Sequence, residues 1–166
     1  MNYELNKRIQ AETRSWIDLR KWHDPYAFTF TLKQSLAPNS LDPTSKVRIT
    51  RDIASSNFSQ FLHRLNRDIF KNQVKRRGCR LTVFPVREGS ETKFLHYHGI
   101  FDKPTIVTDE DFRTKIRHNW NLTPWGAPQI DIQSSADNGW VSYITKFGDK
   151  DTITDSIDLN NVHLPI

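Results

Sequence analysis

The spacing of apolar and polar positions first becomes regular at residues 26–33, YAFTFTLK. Tyr26, Phe28, Phe30 and Leu32 alternate with Ala27, Thr29, Thr31 and Lys33, the period of two that buries one face of a strand and leaves the other polar. At 51–77 the period changes. Ile53, Phe58, Phe61, Leu62, Leu65 and Ile69 recur at helical spacing, Lys71, Lys75, Arg76 and Arg77 crowd the end, and Gly78 supplies a stop. CRLTVFPVRE (79–88), a GSETK turn (89–93) and FLHYHGIFD (94–102) read as a strand hairpin. Residues 108–120 predict a helix, with Thr108 and Asp111 in a capping-box pattern and Phe112, Ile116 and Trp120 on one stripe. PQIDIQ (128–133) is a short strand. ADNGWVSYITKFG (136–148) is a further helix, capped by Asp137 or Asn138 and ended by Gly148.

The order strand, helix, hairpin, helix, strand, helix predicts an α+β fold, a largely antiparallel central sheet with flanking helices. Residues 1–25 form an N-terminal helical extension with scattered anchors (Ile9, Trp16, Ile17, Leu19, Trp22). Residues 26–148 form the domain proper, interrupted by the Pro/Ser/Asn-rich loop 35–46. Residues 149–166 are an acidic, polar tail. A chain of 166 residues suffices for one such core.

Composition narrows the partners. Lys and Arg total 24 against 19 acids, a net charge of +5 and a pI near 9.4, a balance that suits a polyanion through counterion release. No stretch approaches the ~18 apolar residues of a membrane span, and the N-terminus lacks the pattern of a secretion signal. The single Cys79 leaves no internal disulfide and points to a reducing compartment. A cytoplasmic location is the expectation.

The chemistry begins at His96 and His98. In a strand, residues two apart share a face, so the two imidazoles project together while Leu95, Tyr97 and Phe101 point into the core. A turn at 89–93 sets Glu88 opposite Phe94 on that same face, one diagonal step from His96, within reach of a long side chain. Two imidazoles and one carboxylate leave coordination positions open, the arrangement of a catalytic rather than a closed structural site. Glu91, inside the turn, and Asp131, facing away from the Ile130/Ile132 core side, are reserve ligands.

The helix at 136–148 holds the second constellation. Trp140, Ile144 and Phe147 form its anchoring stripe. Tyr143 emerges about 60° off that stripe, with Lys146 one turn on. A phenol is a poor nucleophile at neutral pH unless a cation or a polarised electrophile assists it. Lys146 serves either to stabilise phenolate or to anchor a phosphate. An open metal site, a tyrosine, a lysine and a basic surface together suit phosphoryl transfer on DNA.

FTFTL (28–32), HYHG (96–99) and YITK (143–146) occur in the order of the three motifs of rolling-circle replication initiators, and over about 26–148 the chain resembles the HUH (His-hydrophobe-His) endonuclease superfamily. Its nearest look-alikes are the small single-tyrosine Rep nuclease domains of plasmids, phages and single-stranded DNA viruses. The resemblance implies a five-stranded antiparallel sheet carrying the metal site, with a palm like that of ferredoxins and RNA-recognition motifs, and a helix presenting the tyrosine. It implies cleavage of single-stranded DNA at an origin stem-loop, a 5′-phosphotyrosine link, a free 3′-OH, and resealing by the reverse reaction. His96 and His98 carry over as ligands of Mg²⁺ or Mn²⁺, Glu88 as the acidic ligand, Tyr143 as nucleophile and Lys146 as its helper. A prokaryotic cytoplasm follows for a plasmid or phage protein, a host nucleus for one from a eukaryotic virus.

Two features bound the resemblance. No G-x-x-x-x-G-K-[ST] phosphate loop occurs in the sequence, so a separate helicase, DNA already single-stranded, or a longer chain must supply unwinding, and a polymerase must extend the 3′-OH. One tyrosine on the helix argues against a two-tyrosine mechanism, and histidines ahead of the tyrosine argue against conjugative relaxases. Single-tyrosine transposases of the same superfamily share the order and are the first alternative. A non-catalytic module binding single strands through aromatic and basic residues is the second. Thr29, Thr31 and Lys33 on the polar face of the first strand, and Lys75, Arg76 and Arg77, are candidate DNA contacts.

Overall fold

The alternating segment is the strand on which the fold is assembled. A computed structural model describes residues 3–37, 44–90, 93–146 and 153–166. In it β1 (Pro25–Leu32) buries every second residue and pairs antiparallel on both sides, with β5 (His96–Asp102) and with β6 (Gly126–Ser134). β4 (Val83–Glu88) adds to the outer edge of β5, giving a four-stranded antiparallel sheet of order β4-β5-β1-β6. Among the described residues the sheet has four strands rather than the five expected. The segment 35–46, read as a loop, opens on the two-residue β2 (Ser35–Leu36), which pairs with β3 (Val47–Arg48) just beyond it, while 38–43 lie outside the described residues.

One face of the sheet builds the main core. Phe28, Phe30, Tyr97 and Phe101 meet Phe58 and Phe61 of α2 (Arg51–Phe70) and Phe112, Ile116 and Trp120 of α4 (Asp109–Asn121). Their rings interlock, with Phe28–Phe101 centroids at 4.3 Å, Phe58–Tyr97 at 4.5 Å and Phe30–Trp120 at 4.8 Å. Each fully buried side chain of this size contributes about 1.5–3 kcal/mol by leaving water. The helix read at 51–77 is two helices. Lys71 turns to φ 53°, and a five-residue α3 (Gln73–Arg77) follows, closed by Gly78 at φ 65°. Thr108 caps α4 by accepting from the Asp111 amide at 3.1 Å, as the capping pattern predicts.

The opposite face carries a smaller core. Phe84, Val86 and Ile100 are covered by Ile17 and Trp22, which follow α1 (Tyr3–Trp16), and by Val141 and Ile144 of α5 (Asn138–Ile144). Of the anchors read in 1–25, Trp16 stays exposed, and Thr13 is the residue α1 buries. Residues 157–163, read as polar tail, line the free edge of β4 after the short α6 (Ile153–Ser156), through bridges Val86–Ile157 and Val83–His163. There Asp158, 1% exposed, accepts from Ser55 Oγ at 2.7 Å, Tyr97 Oη at 2.7 Å and Asn161 Nδ2 at 2.8 Å. Three donors satisfy a carboxylate that burial would otherwise penalise. No helix among the described residues is long and apolar enough to cross a membrane.

Candidate metal centre and tyrosine

β5 starts at His96, not Phe94, so the hairpin connection runs to Leu95. The consequence is a closer site. Glu88 pairs directly with His96, and Val86 with His98, so the carboxylate stands across from the first imidazole instead of one diagonal step away. Phe94 is exposed. Glu91 lies outside the described residues. Asp131 pairs with Thr29, sits on the polar sheet face and accepts from Gln133 Nε2 at 2.8 Å. Among the described residues it is not part of the cluster that can hold a metal.

That cluster is Glu88, His96 and His98, whose ligand atoms all lie within 4.8 Å of one another. His96 Nε2 and His98 Nε2 are 3.0 Å apart, and Glu88 Oε2 is 3.2 Å from His98 Nε2. Each outer nitrogen is held. His96 Nδ1 lies 3.0 Å from the Phe94 carbonyl oxygen. A carbonyl only accepts, so the neutral ring carries its proton there and turns a bare Nε2 inward. His98 Nδ1 lies 2.8 Å from Thr29 Oγ1, because the β1–β5 register sets those two residues side by side. Glu88 Oε2 is buried with no well-directed hydrogen bond, a carboxylate oxygen turned toward the His98 imidazole.

A metal ion fits this donor set. Metal–ligand bonds of about 2.0–2.2 Å to nitrogen and oxygen space neighbouring ligand atoms by about 3 Å. The separations at His96–His98 and His98–Glu88 are of that size. With three protein ligands the remaining positions stay available to water or substrate. The centre is half-sheltered, the His98 and Glu88 side chains being 7% and 26% exposed.

α5 brings the tyrosine to this centre. It is shorter than the 136–148 expected, and Phe147 and Gly148 lie outside the described residues. Asp137, one of the two caps read from sequence, accepts from the Trp140 amide at 2.9 Å. Trp140 then pins the helix to the sheet, its Nε1 donating to the Gly99 carbonyl at 2.9 Å. The Tyr143 ring stacks on Trp140, centroids 5.2 Å and planes 17° apart, and stands edge-on to His98 at 5.4 Å and 84°. Lys146 lies beyond the helix end, but its amide bonds the Tyr143 carbonyl at 3.3 Å and its Nζ sits 3.9 Å over the Tyr143 ring centroid. Tyr143 is 41% exposed.

The far end of α5 is held by α1. Gln10 Nε2 donates to the Thr145 carbonyl at 2.8 Å and Arg14 Nε to Thr145 Oγ1 at 3.0 Å. Residues 131 to 135 positions apart leave no trace in local periodicity, so sequence patterning misses this clamp. It also misses the Phe94 carbonyl and the Trp140 bond. Thr29 carried a visible signal, its place on the polar face of β1, but the partner that gives it a role appears only with the register.

The other candidates divide. Thr31 pairs with His96 across the strands, but its hydroxyl donates to the Gln129 carbonyl at 2.6 Å, beside the register shift between β1 and β6. Lys33 follows β1 and donates to the Pro124 carbonyl at 3.4 Å. Lys75, Arg76 and Arg77 are not brought to the centre. The start of α2 adjoins the Glu88 end of β4 through Arg51, which donates to the Gly89 carbonyl at 3.5 Å. α3 lies past the other end of that 20-residue helix, about 30 Å away along its axis. Behind the histidines Tyr97 faces the main core, where burial and then the Asp158 carboxylate push its phenol well above the ordinary range. Comparison with protein-family models, with curated proteins and with solved structures finds no match to this chain, so the chemistry of the site is carried by these residues alone.

Proposed function

We propose that this chain is a metal-dependent enzyme that nicks and rejoins single-stranded DNA at an origin stem-loop and so initiates rolling-circle replication. One juxtaposition carries the reading: Tyr143 stands against His98, whose Nε2 faces Glu88 and His96. Exposed phenols and His-x-His pairs are each ordinary. A phenol beside a three-ligand cluster on a basic protein is a combination suited to phosphodiester chemistry.

Glu88, His96 and His98 would hold the ion, which when bound supplies Lewis-acid polarisation of the scissile phosphate. Tyr143 Oη gives up its proton to solvent and attacks phosphorus, and the bond from phosphorus to the 3′ oxygen breaks. That oxygen takes up a proton and departs as a free 3′-OH, while the 5′ end remains esterified to Tyr143. One phosphoester replaces another, so a 3′-OH running the step backwards reseals the strand. Trp140 fixes the tyrosine ring against the sheet, and Lys146, whose ammonium lies over the face of that ring, stabilises phenolate or anchors a phosphate. Unwinding and extension fall to a separate helicase and polymerase.

The test is incubation with labelled stem-loop single strands and Mn²⁺, followed by denaturing electrophoresis. The expected outcome is a protein-linked band that disappears with chelator and in Tyr143→Phe. A band that survives Tyr143→Phe contradicts the assignment of the nucleophile. Transposition would show itself in the same assay as joining between two distinct cut ends.

A further inference from the structure

We propose that Thr29 is a positioning residue of the metal centre, holding His98 in the tautomer and orientation that present Nε2 to the ion. The inference rests on the metal-binding reading of Glu88, His96 and His98, and it gives Thr29 a task other than lining a DNA path.

The two imidazoles need the same service and receive it differently. A neutral histidine that ligates through Nε2 carries its proton on Nδ1, and whatever accepts that proton fixes the ring. For His96 the acceptor is the Phe94 main-chain carbonyl, which no substitution removes. For His98 it is the Thr29 hydroxyl at 2.8 Å, so half of the arrangement depends on one side chain. The register places it there: Thr29 and His98 are directly paired across β1 and β5, and both strands are interior to the sheet.

The ring contacts of His98 do not replace this hold. Trp140 and Tyr143 touch the ring edge-on at 5.6 Å and 5.4 Å between centroids, contacts that confine its position but leave it free to present either nitrogen. Thr31, the neighbouring hydroxyl on the same face of β1, is committed to the Gln129 carbonyl. Valine keeps the branched shape and strand preference of threonine while deleting the acceptor. Serine keeps the acceptor.

Mn²⁺ titration of the full chain, followed by electron paramagnetic resonance, tests this. Thr29→Val is expected to weaken Mn²⁺ binding about 10–100-fold, the usual cost of removing such a partner, and Thr29→Ser to stay within about three-fold of the parent. Thermal melts without added metal verify that Thr29→Val is folded. Independently of any variant, ¹⁵N spectra of the parent imidazoles with Zn²⁺ as a diamagnetic probe are expected to show His98 protonated at Nδ1. Thr29→Val binding Mn²⁺ as tightly as the parent, or a bare His98 Nδ1 in the Zn²⁺-bound protein, overturns the role of Thr29 while leaving the metal site standing. A parent protein whose Mn²⁺ binding is unchanged by His96→Ala removes the metal reading itself, and this inference with it.

Discussion

The Tyr143 ring stands perpendicular to the His98 ring, centroids 5.4 Å apart, although 45 residues separate them in sequence. Two anchors produce the meeting. Trp140 bonds the Gly99 carbonyl, one residue beyond His98, and Val141 and Ile144 bury against Phe84, Val86 and Ile100 on the same sheet face. The nucleophile candidate and the ligand candidate are thus placed by one small core.

If Glu88, His96 and His98 bind an ion in the folded chain alone, that ion stabilises it. At 100 times its dissociation constant Mn²⁺ adds about 2.7 kcal/mol, which raises Tm by about 5–10 °C for a chain of this size. Glu88→Ala and His96→Ala are expected to abolish most of the rise, and chelator to reverse it in the parent. Differential scanning calorimetry at several Mn²⁺ concentrations reads this directly. Equal shifts in parent and variants would place the ion elsewhere.

Trp140→Leu deletes the bond to Gly99 and the face on which Tyr143 stacks. A displacement of about 1 Å at a reacting group costs about 100-fold in rate. Adduct formation is therefore expected to slow by about that factor, with Mn²⁺ affinity preserved within about three-fold. Parallel loss of both would show that Trp140 holds the sheet, not the tyrosine.

Gly99 explains the last residue of HYHG. A Cβ there would lie 2.4 Å from Phe28 Cζ and 2.4 Å from the Phe84 carbonyl oxygen, one an aromatic in the main core and the other backbone. Gly99→Ala is expected to cost about 1–3 kcal/mol through overpacking, measured by urea unfolding. An unchanged midpoint would mean that β4 and β5 yield to the extra carbon.

Much of this architecture is legible in the sequence. The alternation at 26–32, the Thr108 and Asp137 caps and the common face of His96 and His98 are all local signals, and each appears in the fold. What escaped is long-range. The hairpin lost Phe94 and Leu95 from its strand because nothing in FLHYHGIFD marks where pairing starts, and that slip hid the direct Glu88–His96 pairing. The break at Lys71 carries no Gly or Pro. Asp158 reads as one more acid in a polar tail, yet it is buried by Ser55, Tyr97 and Asn161, partners that only tertiary packing supplies.

Two buried phenols set the alkaline limit. Burial, then the bond to Asp109, pushes Tyr26 up to about 12, and burial beside Asp158 pushes the Tyr97 phenol up as well. In the unfolded chain both ionise near 10. Because the folded state holds these protons more tightly, their stabilisation is complete below pH 10, and the Tyr26 share is lost as pH rises through about 12. Urea midpoints between pH 9 and 12 are expected to fall, and to fall less steeply in Tyr26→Phe. Identical slopes would remove Tyr26 from the alkaline transition.

The most direct measurement is mass spectrometry of peptides from protein incubated with stem-loop single-stranded DNA and Mn²⁺. The expected product is a nucleotide joined through its 5′ phosphate to the peptide bearing Tyr143, and none when His96→Ala or chelator removes the ion. A nucleotide on any other residue, or no covalent product from a library of stem-loops with Mn²⁺ bound at Glu88, His96 and His98, would contradict the proposed reaction.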